Sequence, residues 1–186
     1  MVVSRQFRRT SLSHRFVFAH ALYQRWHLCL HLVAGDTINA RATDVNTMAW
    51  TFFYGSYMNF DVLKEVGLVP EQFEVARLNG FDIRIQPLAN LVRSDQHCVY
   101  GIVATATHEE LRRLYAHAQD VLGGTYLPEA ALVETLDGKW RPALCYIAPV
   151  MEPRPADDDY VDRIVKPARA FGFPAWYIDR LESFRP

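Results

Sequence analysis

Residues 50–59 read Trp-Thr-Phe-Phe-Tyr-Gly-Ser-Tyr-Met-Asn, and this stretch decides the fold. Trp50 to Tyr54 are aromatic or β-branched and suit a buried strand. They run straight into Gly55 and Ser56, which suit a tight, open turn. Asn59 then stands where an N-cap would start a short helix, with Val62, Leu63 and Val66 on one face and a stop at Gly67. Strand, small-residue loop and helix start together aim several backbone N–H groups at one spot. Such a spot holds anions, and a carboxylate is a natural guest.

Working downstream, Glu71 to Leu78 alternates and Asn79-Gly80 is a hairpin signal, with Phe81, Ile83 and Ile85 alternating after it. Leu88 to Val92 reads as a further short strand and Arg93 to Gln96 as a polar turn. Cys98 to Thr105 reads as an interior strand in which Gly101 permits close approach of another backbone. Thr107-His108-Glu109-Glu110 has the form of a capping box before a helix carrying Leu111, Leu114, Tyr115 and Ala118. A second hairpin joins 125–133 to 139–148 across Leu136-Asp137-Gly138-Lys139. Asp157 to Asp159 would cap a helix with Tyr160, Val161, Ile164, Val165 and Ala168, kinked at Pro167, before a short last helix. The order predicts an α+β fold with a mixed, mostly antiparallel, barrel-like sheet and flanking helices.

Upstream the character changes. Residues 1–47 hold six Arg and two acids, a net of +4, while residues 48–186 hold fourteen Lys or Arg and nineteen acids, a net of −5. No acid precedes Asp36. The pattern fits a transit peptide or leader sequence ahead of the true start, so the domain is expected to span 48–186 with 1–47 a dispensable basic extension. His20, Gln24, Arg25, His27 and His31 break the apolar run from Phe16 to Val33, which argues against a secretory signal or a membrane span. The overall net charge of −1 gives no general attraction to nucleic acid or acidic membranes. Three scattered Cys make no disulfide scaffold, so a reducing, cytoplasmic location is expected, or organellar import if 1–47 is a transit segment.

Three other patterns fall short of their chemistry. His27-x-Cys29-x-His31 has ligand-type residues at strand spacing, but no fourth ligand is near, and no metal is expected. Ser56 after Gly55 evokes a nucleophile elbow, yet Tyr54-Gly55-Ser56-Tyr57-Met58 lacks the second glycine of Gly-x-Ser-x-Gly. A phosphate loop fares no better, because neither glycine-rich fingerprint occurs.

At Tyr54-Gly55-Ser56 the chain resembles the γ-glutamylcyclotransferase-like family, whose hallmark is Tyr-Gly-Ser-Asn after an aromatic first strand. The resemblance continues through Val75-Ala76-Arg77-Leu78, Val99-Tyr100-Gly101-Ile102-Val103, the helix, glycine and tyrosine segment of 111–126, and Gly172-Phe173-Pro174 followed by Tyr177. It covers about residues 49–184 in the family's order. It implies conversion of a γ-glutamyl peptide or amine to 5-oxoproline, the substrate's own α-amine attacking its γ-carbonyl. No cofactor is implied, and the partner is a small γ-glutamyl-like molecule. The implied substrate-binding residues are Tyr54, Gly55, Ser56, Tyr57 and Tyr126, with the loop amides in an oxyanion role.

Two departures stand out. The family's loop asparagine is Tyr57 here, which cannot reproduce an amide's hydrogen bonds. The family's proton-transferring glutamate falls on Ala118 when counted from Val99-Tyr100-Gly101, and on Gln119 when counted back from Tyr126. Neither side chain is a base at neutral pH. Asp120 is the nearest carboxylate and the candidate substitute, with Glu129 and His117 behind it. The sequence therefore leaves two readings: a cyclotransferase with a relocated acid, or a catalytically degenerate small-molecule-binding relative.

Overall fold

The computed structural model describes residues 47–149 and 151–186. The basic extension, with His27, Cys29 and His31, lies outside the described residues. Five strands, β1 (Met48–Phe53), β2 (Phe73–Ile85), β3 (Ala89–Thr107), β4 (Leu127–Thr135) and β5 (Trp140–Ile147), close a barrel in the order β1-β3-β2-β4-β5. All neighbours are antiparallel except β1 and β5, which close the barrel in parallel. Four helices accompany it: α1 (Phe60–Glu65), α2 (His108–Leu122), α3 (Asp158–Ala170) and α4 (Ala175–Glu182). This is the mixed, mostly antiparallel barrel with flanking helices that the patterning predicts.

The apolar runs of β1 and β3 reflect burial on both faces. Successive strand residues point to opposite sides, so Phe52 and Val103 join the cluster reaching α3 and α4. Phe53, Ile102 and Ala104 join the opposite cluster with Leu63 of α1 and Leu111 and Leu114 of α2. Gly101 sits where β3 crosses β1: a Cβ there would run into the Phe53 carbonyl oxygen and the Phe52 ring. The close approach read from the sequence is real, and its partner is β1.

The helix caps follow local chemistry. Asn59 accepts from the Asp61 N–H at the start of α1. Thr107 and Glu110 form the reciprocal capping box of α2, and Gly123 ends that helix at φ 70°. Asp157 caps α3, which continues through Pro167. Arg180 of α4 reaches the buried carboxylate of Asp82 on β2 at 2.9 Å, fastening the last helix to the barrel.

One stretch departs from expectation. Asn79-Gly80 is not a turn; β2 runs straight through it. Asn79 pairs with Cys98 and Phe81 with Arg93, so Gly80 alone stands opposite residues 94–97. The Asn-Gly signal and the polar Arg93 to Gln96 run thus mark the two sides of one β-bulge, with Gly80 at φ 84°. The chain reverses instead at 86–88, where the Gln86 N–H donates to the Leu88 carbonyl at 3.3 Å. The long register gained on either side of the bulge outweighs the local turn preference.

Candidate functional site

β1 delivers Tyr54 to the mouth of a four-residue 3-10 turn, Gly55–Met58. Gly55 has φ 65°, and a Cβ on it would lie 2.5 Å from the Ala89 Cβ. Both the backbone twist and the packing therefore require glycine at this position. Ala89 is the first residue of β3, so the turn and the β2–β3 reversal press against each other.

Around that contact lies a narrow cavity of about 20 Å³, lined by Tyr54, Ser56, Tyr57, Ala89, Tyr115, Tyr126, Tyr146 and Tyr160. Its centre admits little more than a water-sized group. Six of the chain's nine tyrosines meet here. They arrive from five places: the β1 end and the turn, α2, the start of β4, β5, and the first turn of α3. Tyr115 and Tyr146 stack at 3.7 Å with planes 10° apart, and Tyr57 meets Tyr115 edge-on at 5.8 Å.

The hydroxyls are wired to backbone. Tyr54 donates to the Tyr146 carbonyl at 2.6 Å and Tyr126 donates to the Ala89 carbonyl at 2.7 Å. The Ala89 N–H in turn donates to Tyr160 Oη at 2.9 Å. Tyr57 Oη is buried and has no partner among the described residues. Burial raises the pKa of Tyr54, Tyr57, Tyr115, Tyr126, Tyr146 and Tyr160 above the ordinary phenol value. For Tyr160 the Ala89 N–H and the Ser56 hydroxyl partly oppose that rise. At neutral pH all six are uncharged phenols, able to donate or accept hydrogen bonds but not to act as a base.

Of the residues singled out from the sequence, Tyr54, Ser56, Tyr57 and Tyr126 share this cavity, and Gly55 supports it from the turn. Asp120 is exposed near the end of α2 and is not among the lining residues. Ala118 is fully buried one turn beyond Tyr115, on the same helix face, whereas Gln119 is exposed. Of these two positions Ala118 is the buried one, and it is not among the residues lining the cavity. Glu129 pairs with Arg93 at 2.8 Å on the surface of the barrel. His117 has a buried Nδ1 without a partner among the described residues, but it does not line the cavity. No carboxylate, imidazole or cationic side chain is among the described lining residues.

Tyr115, Tyr146, Tyr160 and Ala89 are the lining residues that the sequence leaves unassigned. Tyr115 and Tyr160 fall on apolar helix faces and read simply as core. Their only common signal is a hydroxyl on an otherwise apolar face, which a buried tyrosine must satisfy.

The barrel has counterparts among solved structures. An uncharacterized human protein superposes with a TM-score of 0.66 at 23% identity, covering 75% of this chain and 89% of the other. A protein described as gamma-glutamyl cyclotransferase gives 0.61, also at 23% identity and with the same coverage. The chain has the γ-glutamylcyclotransferase-like fold. A yeast γ-glutamyl cyclotransferase specific to glutathione shares this fold at 12% identity, with a TM-score of 0.53 and coverage of 75% and 98%. No protein-family model and no curated protein matches the chain. Within the γ-glutamylcyclotransferase-like fold, identities this low establish architecture and leave chemistry to the residues of the cavity. Among the described residues no helix is long and apolar enough to cross a membrane.

Proposed function

We propose that this protein binds a small γ-glutamyl-type molecule in the tyrosine cavity without cyclising it. The observation that carries the reading is the lining itself: among the described residues, six tyrosines, one serine and one alanine, with no carboxylate. Ring closure to 5-oxoproline needs the α-amine of the substrate to lose a proton and the leaving nitrogen to gain one. A group that ionises near neutral pH must stand within hydrogen-bond reach to move that proton. Phenols held protonated by burial cannot accept it, and of the two α2 positions where the family glutamate could fall, buried Ala118 carries only a methyl group and Gln119 is exposed.

Binding is supported by what remains. The fold is shared with proteins described as γ-glutamyl cyclotransferases. Tyr54, Gly55 and Ser56 hold the turn, the walls are aromatic, and Tyr57 Oη and the Ser56 hydroxyl are polar groups at the cavity. The test is equilibrium titration of the full chain with γ-glutamyl amino acids and γ-glutamyl-ε-lysine by calorimetry. Saturable binding to one of them supports the reading; heats indistinguishable from dilution across the panel reject it.

A further inference from the structure

The hydrogen-bond directions around the cavity narrow the ligand class. A backbone carbonyl only accepts, so the bonds to the Tyr146 and Ala89 carbonyls consume the single protons of Tyr54 and Tyr126. Each phenol oxygen is then left with lone pairs and no proton to offer. Two of the cavity's oxygens are thus obligate acceptors toward any guest. Every lining ring is an uncharged aromatic, whose face carries partial negative charge and attracts cations. The space at the centre suits a group the size of water, and an –NH3+ head has that size.

An anion is less well served. No cationic side chain is among the described lining residues, and Tyr54 Oη and Tyr126 Oη would face a carboxylate with lone pairs against lone pairs, leaving the Tyr57 and Ser56 hydroxyls as its donors. Burying a charge that lacks compensating hydrogen bonds is costly, whereas an ammonium finds acceptors waiting.

We infer that the cavity selects a protonated primary amine, whose N–H groups donate to Tyr54 Oη and Tyr126 Oη inside the tyrosine cage. Tyr57 Oη, buried and unpartnered, is the hydroxyl left to donate to an acyl oxygen beside that amine. The inference rests on the binding reading above and adds to it that the amine is recognised as the ammonium. It also gives that reading a cause: an amine held as –NH3+ has no lone pair with which to attack. The rise of the phenol pKa values by burial fits the same picture, because the oxygens stay neutral acceptors.

The experiment titrates the full chain with γ-glutamylglycine, its N-acetyl derivative, 5-oxoproline and methylammonium chloride, using calorimetry and competition. The expected result is at least tenfold weaker binding of the N-acetyl derivative and of 5-oxoproline, with millimolar methylammonium displacing γ-glutamylglycine. Tyr54→Phe and Tyr126→Phe, each checked for folding by near-ultraviolet circular dichroism, should lose tenfold in affinity. Tyr100→Phe, outside the cavity, should not. Equal binding of the free and N-acetylated ligands overturns the inference while the γ-glutamyl reading survives. Methylammonium binding that is lost in the Tyr54 and Tyr126 variants, with no binding of γ-glutamylglycine, leaves the ammonium cage standing and removes the γ-glutamyl reading. Binding of neither ligand overturns both.

Discussion

Tyr126 donates its hydroxyl proton to the Ala89 carbonyl at 2.7 Å, while the N–H of the same alanine donates to Tyr160. One residue at the start of β3 thus ties the beginning of β4 to the first turn of α3. Removing the Tyr126 hydroxyl leaves a part-buried carbonyl without its partner. Tyr126→Phe is expected to cost about 1 kcal/mol, the usual size of such a loss. Urea denaturation of variant and parent at neutral pH measures it; equal midpoints would show that the bond carries no stability.

Gly55 is the least replaceable residue of the turn. Alanine there must adopt φ 65° and also place a Cβ 2.5 Å from the Ala89 Cβ. Left-handed strain and overpacking each cost roughly 1–3 kcal/mol. Gly55→Ala is therefore expected to lower stability by about 2–6 kcal/mol and to displace the Ala89 end of β3. Gly138→Ala, with φ 81° but open space around the added methyl, should cost less. The ratio of the two losses in denaturant titration separates the packing contribution from the backbone one.

The tyrosine cluster predicts an alkaline limit. Burial raises the folded-state pKa of Tyr54, Tyr115, Tyr126, Tyr160 and Tyr177 above the unfolded value of about 10. Above that pH the unfolded chain binds fewer protons than the folded one, so stability falls as pH rises. The tyrosine contribution is fully present below pH ~10 and is lost progressively above it. Absorbance at 295 nm should show these phenols ionising together with unfolding, rather than as free phenols near pH 10.

Ala118 offers a gain-of-function test. It is buried on the face of α2 that carries Tyr115, at one of the two positions, with Gln119, where the family resemblance could place a glutamate. Ala118→Glu is expected to lower stability by about 1–3 kcal/mol, since a larger side chain enters a filled site. It is also expected to produce 5-oxoproline from γ-glutamyl substrates that the parent only binds. A folded variant without product would mean that the missing carboxylate is not what separates binding from turnover.

The parts legible in the sequence are those set by neighbours in the chain. Asn59, Thr107 with Glu110, and Asp157 are caps whose partners lie two or three residues away, and each is found in its role. The apolar runs of β1 and β3, the alternation along β2 and the Leu136–Lys139 turn are equally local. Asn79-Gly80 is legible as a backbone irregularity but not as a bulge, because the deciding register comes from residues 94–97 on another strand. The cavity is non-local throughout. Tyr54 meets the Tyr146 carbonyl across 92 residues and Ala89 meets Tyr160 across 71, so only barrel closure reveals them as one site. The turn Tyr54 to Tyr57 announces half of that site. The walls from Tyr115, Tyr146 and Tyr160 have the same apolar spacing as core residues and give no separate sign.

The central claim is that the cavity holds a γ-glutamyl-type ligand and lacks the means to move its proton. It is tested most directly by incubating the full chain, at high concentration and neutral pH, with a ligand shown to bind, and measuring 5-oxoproline by mass spectrometry. The expected result is saturable binding with product no greater than in protein-free controls. Product that rises in proportion to protein, and is lost in Asp120→Asn, would contradict the claim and restore a cyclotransferase with a relocated acid.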